Sequence, residues 1–162
     1  MMFAVIFEFQ VSAARRQDYL AFAAALRPDV DKLDGFLGIE RFENVRDAER
    51  MVSFSTWRDE AAIARWRLFA PHRSAQDAGR SKIFDDYRLR VGEVVASGAS
   101  VAVTEGRDLG GKGEMFVSIV TPGKMLLLGE PASGGSIERS LAIRIIRDYG
   151  MHDRAQAPQS LS

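Results

Sequence analysis

Between Phe3 and Val95 the hydrophobic period switches from that of a strand to that of a helix and back, twice, and few folds accommodate that order. Phe3, Val5, Phe7, Phe9 and Val11 alternate with Ala4, Ile6, Glu8 and Gln10, which predicts a strand with one strongly apolar face. Ser12 is a candidate N-cap for a helix from Ala13 to about Arg27, where Tyr19, Phe22 and Leu26 share a stripe and Pro28 ends or kinks the run. Asp34-Gly35 is a turn signal. Phe36 to Asn44 and Glu49 to Trp57 then read as a hairpin. Asp59 is a candidate N-cap for a second helix carrying Ile63, Trp66 and Ala70 on one stripe, with Pro71 starting a new turn and Gly79 as the stop. Phe84 to Val95 alternates again as a fourth strand. The order β-α-β-β-α-β is that of a ferredoxin-like α+β unit, with both helices on one face of the sheet. The other face also carries apolar residues, and burying it against a second copy predicts a homodimer.

The rest of the chain looks simpler. Residues 97–113 contain five glycines and read as a linker, with Val101 to Val103 as a short strand at most. Met115 to Thr121 and Lys124 to Gly129 form two strand-like runs about Pro122-Gly123, and Glu138 to Tyr149 alternates as a further strand. The domains are therefore residues 1–96, a linker at 97–113, a β-rich extension at 114–150 and a loose tail at 151–162. The stretch from Phe42 to Trp57 shares its strand–turn–strand layout with that from Phe116 to Pro131, and Asp86 to Val94 is similar to Arg139 to Gly150. On this reading the extension is a degenerate half-repeat that has lost its first strand and most of its helices. Chance likeness between two hairpins is the competing explanation.

Composition removes several function classes. Lys+Arg and Asp+Glu are both 22, so no electrostatic footprint points to nucleic acid or an anionic membrane. With no cysteine, disulfides, thiolate metal sites and cysteine catalysis are excluded, which agrees with a reducing compartment. No apolar run approaches the ~20 residues that span a bilayer. The N-terminal run lacks a basic leader segment, and a cytoplasmic location is expected. The two histidines, His72 and His152, lie far apart, so no metal site is expected. The run from Gly106 to Gly113 lacks phosphate-loop spacing.

The segment GFLGIERFENVRD…MVSFSTWRDEAAIARWR…HRSAQDAGRSKIFDDYRLRVGEV resembles the antibiotic biosynthesis monooxygenase (ABM) family of dimeric α+β barrels, over residues 2 to 95. Gly35-Phe36, Trp57 before the second helix, Ala64 to Arg67, His72-Arg73 with Gln76, Gly79-Arg80 and Tyr87 leading to Arg90-Val91 carry the likeness. The family includes quinone-forming monooxygenases that use no metal or flavin, haem-degrading enzymes and members of unknown role. The resemblance implies a ligand pocket between sheet and helices. Phe7, Phe22, Trp57, Trp66, Phe69 and Tyr87 would line it, and His72 or Arg90 would supply polar groups. Haem-degrading members use an asparagine in the first strand, a tryptophan in the second helix and a haem-ligating histidine beyond it. Here Trp66 matches, whereas Phe7 and Gln76 stand at the other two positions, so haem is not expected and no cofactor is implied.

Each candidate also has a structural reading. Trp66 and Trp57 suit core packing as well as a pocket wall. His72 suits a helix-end hydrogen bond as well as proton transfer. Three functions remain: a monooxygenase acting on a small aromatic or quinone-like metabolite, with His72 and Trp66 as the candidate catalytic residues; a non-catalytic ligand-binding or stress-related module of the same fold; and a haem-binding protein.

Overall fold

The computed structural model describes residues 2–69 and 83–158. The N-terminal half runs β1 (Phe3–Gln10), α1 (Arg16–Asp31), β2 (Phe36–Asn44), β3 (Arg50–Trp57), α2 (Glu60–Leu68) and β4 (Asp86–Val94), the expected ferredoxin-like order. The C-terminal half is four strands: β5 (Val101–Gly110), β6 (Gly113–Ser118), β7 (Met125–Gly129) and β8 (Gly134–Gly150). All neighbours are antiparallel, and the order β1-β3-β2-β6-β7-β5-β8-β4 closes into a barrel. Closure removes both sheet edges.

Local chemistry explains most boundaries. Asp59 caps α2 as expected, its carboxylate accepting from the Ala62 amide at 2.8 Å. α1 differs from expectation at both ends. It begins at Arg16 with no side-chain cap, and Ser12 instead closes a turn through its carbonyl to the Arg15 amide at 3.0 Å. It also continues through Pro28 to Asp31. Val30, 4% exposed, buries that extra turn against Phe3, Trp57, Ala62 and Ile63, which offsets the proline's missing donor. The turn expected at Pro71 and the stop expected at Gly79 lie outside the described residues.

Residues 97–113 are not a linker. They hold β5, the longest strand apart from β8, whose partners are β7 and β8. Its glycines mark sites of close approach. A side chain on Gly106 would strike the Ser136 carbonyl at a register shift between β5 and β8. The C-terminal half therefore keeps its first strand. What it lacks are the helices: Gly111-Lys112 joins β5 to β6, and a short loop from Glu130 to Ser133 joins β7 to β8.

The two halves share one pattern. The first runs β4-β1-β3-β2 and the second β8-β5-β7-β6. Across the first half one interior row reads Arg88–Glu8–Val52–Phe42. Its counterpart in the second reads Arg139–Glu105–Leu126–Phe116. The halves join at β2–β6 and β4–β8. An uncovered sheet face would require a partner copy to bury it. Here the chain covers its own: Ala4, Ile6, Phe42, Val52 and Phe54 pack against Val103, Phe116, Leu126, Leu128, Leu141 and Ile143. Eight strands enclose a lumen that side chains can fill.

The tail is tied down as far as Ala157. The Gly150 amide donates to the Asp153 carbonyl at 2.7 Å and the Ala157 amide to the Arg154 carbonyl at 3.0 Å. The Gln156 side chain accepts from the Asp148 amide at 2.8 Å. No helix among the described residues is long and apolar enough to cross a membrane.

Candidate functional site

Strand alternation sends one set of side chains into the barrel and the other toward the helices. On the helix side, register places Arg41, Ser53, Phe7, Leu89 and Tyr149 in one row across β2, β3, β1, β4 and β8. Phe7 lies at the middle of it. Its ring is 5.0 Å from Phe9, 5.4 Å from Phe84 and 5.7 Å from Tyr87, the last two edge-on. Tyr19 descends from α1 to within 4.5 Å of Phe9 and 5.6 Å of Phe84. Met51, Ile83 and Met151 complete this aromatic layer.

Two arginine–tyrosine pairs flank it. Arg41 Nε donates to the Tyr19 hydroxyl at 2.8 Å, and Arg154 Nη1 donates to the Tyr87 hydroxyl. Burial raises the Tyr19 phenol above its ordinary pKa despite the charge and hydrogen bond of Arg41, and burial likewise raises Tyr149. Both phenols therefore remain protonated donors at neutral pH. The polar groups facing this layer are hydroxyls and guanidiniums, suited to hold an oxyanion or carboxylate in apolar surroundings.

The expected site residues separate into groups. Phe7 and Tyr87 lie together in the aromatic layer. Trp57 and Trp66 lie in an adjoining cluster with Phe3, Phe36, Ile63 and Leu89. Trp57 is 2% exposed, and its Nε1 donates to Ser55 Oγ at 2.9 Å. Phe69 stacks on Trp66 with centroids 6.0 Å apart, at the end of α2, and is 36% exposed. Phe22 is 43% exposed on α1 and belongs to none of the buried clusters. Arg90 lies on the opposite face of the sheet: it pairs in register with Ile6 inside the barrel and forms an ion pair with Glu8 at 2.6 Å. Alternation along β4 from Tyr87 to Val91 places Arg90 there, and it cannot reach the helix side. His72 and Gln76 lie outside the described residues.

The sequence marks Tyr19 only as part of the apolar stripe of α1, and marks none of Arg41, Ser53, Tyr149 and Arg154 as a site residue. The run MVSFSTW held a usable signal: alternation puts Met51, Ser53, Ser55 and Trp57 on one face, so two serines interrupt an apolar floor. Arg154 had none, because its role depends on the chain turning back at Gly150.

On the barrel side lies a hollow of about 270 Å³, bounded by Phe54, Glu40, Glu105, Lys124 and Arg139. Its charges satisfy one another: Lys124 lies 2.8 Å from Glu40 and 3.5 Å from Glu105, and Arg139 lies 2.6 Å from Glu105. No group of three or more potential metal-ligating side chains occurs among the described residues.

Fold and layer together define a ferredoxin-like α+β barrel with an aromatic layer between sheet and helices. Comparison with known proteins agrees. The family model described as antibiotic biosynthesis monooxygenase matches residues 2–78. The jasmonate monooxygenase ABM of Pyricularia oryzae is 30% identical across 98% of this chain and 97% of its own length. YqjZ of Bacillus subtilis, an uncharacterized protein, is 39% identical over 61 residues, 37% of this chain and 51% of that one. Among solved structures, Rv0793 of Mycobacterium tuberculosis superposes with a TM-score of 0.52 at 19% identity, over 61% of this chain and all (100%) of that one. A protein of Lactobacillus acidophilus NCFM superposes with a TM-score of 0.52 at 10% identity, over 89% of this chain and 93% of that one. At such identities these structures speak for the fold alone. The chain belongs to the antibiotic biosynthesis monooxygenase family.

Proposed function

We propose that this protein is a monooxygenase that oxidises a small, largely apolar aromatic or quinone-like metabolite in the layer between α1 and the outer face of β1, β3 and β4, without metal or flavin. The observation that carries the proposal is the row Arg41–Ser53–Phe7–Leu89–Tyr149 under Tyr19 and Phe84, an apolar floor with hydrogen-bond donors at its margins. In such a site a substrate can act as its own reductant. A methylene flanked by aryl rings gives up two hydrogens, O2 supplies one oxygen to the new carbonyl, and the other leaves as water. The protein's part is to exclude water and stabilise the substrate's oxyanion. Phe7, where haem-degrading relatives carry an asparagine, offers no hydrogen bond to a bound oxygen.

A second reading follows from the Pyricularia oryzae relative, named as a jasmonate monooxygenase and similar along both chains' lengths. Hydroxylating an alkyl C–H consumes O2, two electrons and two protons, and yields the alcohol and water. It therefore requires an external two-electron donor such as reduced nicotinamide or reduced flavin.

Oxygen uptake distinguishes these readings. With an anthrone-type substrate and no reductant, uptake is expected to match carbonyl formation one to one, and Phe7→Ala or Ser53→Val should lower kcat/KM about tenfold or more. Uptake with jasmonic acid that depends on added reductant would favour the second reading. Binding without uptake under either condition would identify a non-catalytic ligand-binding module. A hemin titration that produces a Soret shift would count against a cofactor-free site.

A further inference from the structure

We propose that Arg154, on the C-terminal turn, is the anion-binding group of this pocket and takes the carboxylate of an otherwise apolar ligand. The inference rests on the preceding reading of the helix side as a metabolite site.

Arg154 stands where the aromatic row ends. Its guanidinium carbon is 5.2 Å from the centroid of Tyr149, the last residue of the row, and 5.9 Å from that of Tyr87, whose ring is in contact with Phe7. It belongs to a built turn, because the Met151 amide donates to the Tyr87 carbonyl at 3.1 Å and the tail hydrogen bonds hold residues 150 to 157 in place. The side chain is half-buried.

Among the described residues its charge lacks a counter-ion. Five other barrel arginines have carboxylates: Arg50 pairs with Glu114, Arg88 with Asp148, Arg90 with Glu8, Arg139 with Glu105 and Arg144 with Glu93, whereas Arg41, like Arg154, is paired with a tyrosine hydroxyl. Arg154 has no carboxylate within ion-pair distance among the described residues; its partners are the Tyr87 hydroxyl and, at 3.3 Å, the Gly150 carbonyl. A half-buried cation over two aromatic faces favours an incoming anion.

Donor geometry separates Arg154 from Arg41. Both bonds of Arg154 use Nη1, leaving the edge formed by Nε and Nη2 for side-on, bidentate binding of a planar carboxylate. Arg41 spends Nε on Tyr19, which breaks that edge. Residues beyond the matched 2–78 thus supply the ligand's charge complement.

The test is calorimetric titration of the intact protein with two matched pairs: jasmonic acid with methyl jasmonate, and 1-naphthoic acid with its methyl ester. In wild type the acids should bind about tenfold or more tightly than the esters, and only the acids should weaken with added salt. Arg154→Gln should weaken the acids about ten- to a hundredfold while leaving the esters within about twofold, and Arg154→Lys should restore part of the loss. Acids and esters binding equally well, or weakening equally in Arg154→Gln, would overturn this assignment and leave the pocket reading intact. If neither acids nor esters bind wild type, the pocket reading falls too. Should Arg154→Gln fail to fold, Arg154→Lys decides the matter: the acids should weaken severalfold and the esters should not, and equal effects on both would overturn the assignment.

Discussion

Glu8 and Glu105 occupy equivalent positions in the two halves of the barrel, each facing its lumen next to an arginine on the neighbouring strand, Arg88 and Arg139 respectively. The equivalence extends to the β2–β6 seam. Arg50, two residues before Val52, reaches Glu114 in the other half at 2.6 Å; Lys124, two residues before Leu126, reaches Glu40 at 2.8 Å. Glu114 also accepts from Asn44 at 3.1 Å, and Glu40 from Ser118 at 2.5 Å. One polar relay thus occurs twice, at opposite ends of one barrel, and each copy links the halves.

The two copies should differ in energy because they differ in burial. Each cation has two carboxylates within ion-pair distance, but Lys124 is 17% exposed whereas Arg50 is 40% exposed. Lys124→Met should cost about 2 kcal/mol, since it leaves the half-buried Glu40 without a cation and Glu105 with Arg139 alone, and Arg50→Met about 0.5–1 kcal/mol. Urea unfolding at neutral pH measures both; equal losses would refute the distinction.

The other seam predicts acid sensitivity. Arg88 binds Asp148 side-on at 2.9 and 2.6 Å, and this hydrogen bond together with the Arg88 charge lowers the Asp148 pKa. Glu40 is also lowered: burial opposes its ionisation, but hydrogen bonds from Lys124 and Ser118 outweigh that. In both cases the unfolded chain binds protons at a higher pH than the folded one. Their stabilisation is therefore complete above the ordinary carboxylate pKa of about 4 and is lost as pH falls below it. Unfolding free energy should decline between about pH 5 and pH 2, and Asp148→Asn should flatten that decline while lowering stability at pH 7.

How much could be read in the sequence follows from how far each feature depends on neighbours in the chain. The period switches from Phe3 to Val95 are local and fix the ferredoxin-like half, including the Asp59 cap. The likeness of Phe42–Trp57 to Phe116–Pro131 also lies in the sequence, and the structure puts those stretches in matching registers: Phe42 faces Val52 as Phe116 faces Leu126. β5 was obscured because glycines signal flexibility to a composition count, yet here they admit neighbouring backbone. Arg90 was misplaced because the family resemblance names residues without assigning faces, although alternation along β4 assigns one. Arg41, Ser53 and Arg154 come together only through pairing across β1, β2, β3, β4 and β8, which a single sequence does not display.

Glycines of the supposed linker should therefore respond unequally to substitution. Gly106→Ala would drive a methyl into the Ser136 carbonyl, with Leu109 Cδ2 at 3.1 Å on another side, and should cost about 2 kcal/mol or more. A methyl on Gly110 would meet nothing within 4 Å, and Gly110 has no positive φ, so Gly110→Ala should be neutral or stabilising by about 0.5 kcal/mol. Thermal unfolding of the two variants separates a strand from a linker, because a true linker would tolerate both.

Removing the C-terminal half should restore the need for a partner. Residues 1–96 alone would expose Ala4, Ile6, Phe42, Val52 and Phe54, the face that Val103, Phe116, Leu126, Leu128, Leu141 and Ile143 now cover. Arg50 is equivalent to Lys124, and Glu40 to Glu114, so two copies of the fragment could remake both relays as Arg50–Glu40 pairs across a two-fold axis. Sedimentation should give the mass of one chain for the full protein and of a dimer for the fragment. Glu40→Lys in the fragment sets like charges against each other twice and should shift it toward monomer or aggregate, with added salt easing the repulsion. A fragment that remains monomeric and folded would show that the C-terminal half is not what keeps this sheet face from water.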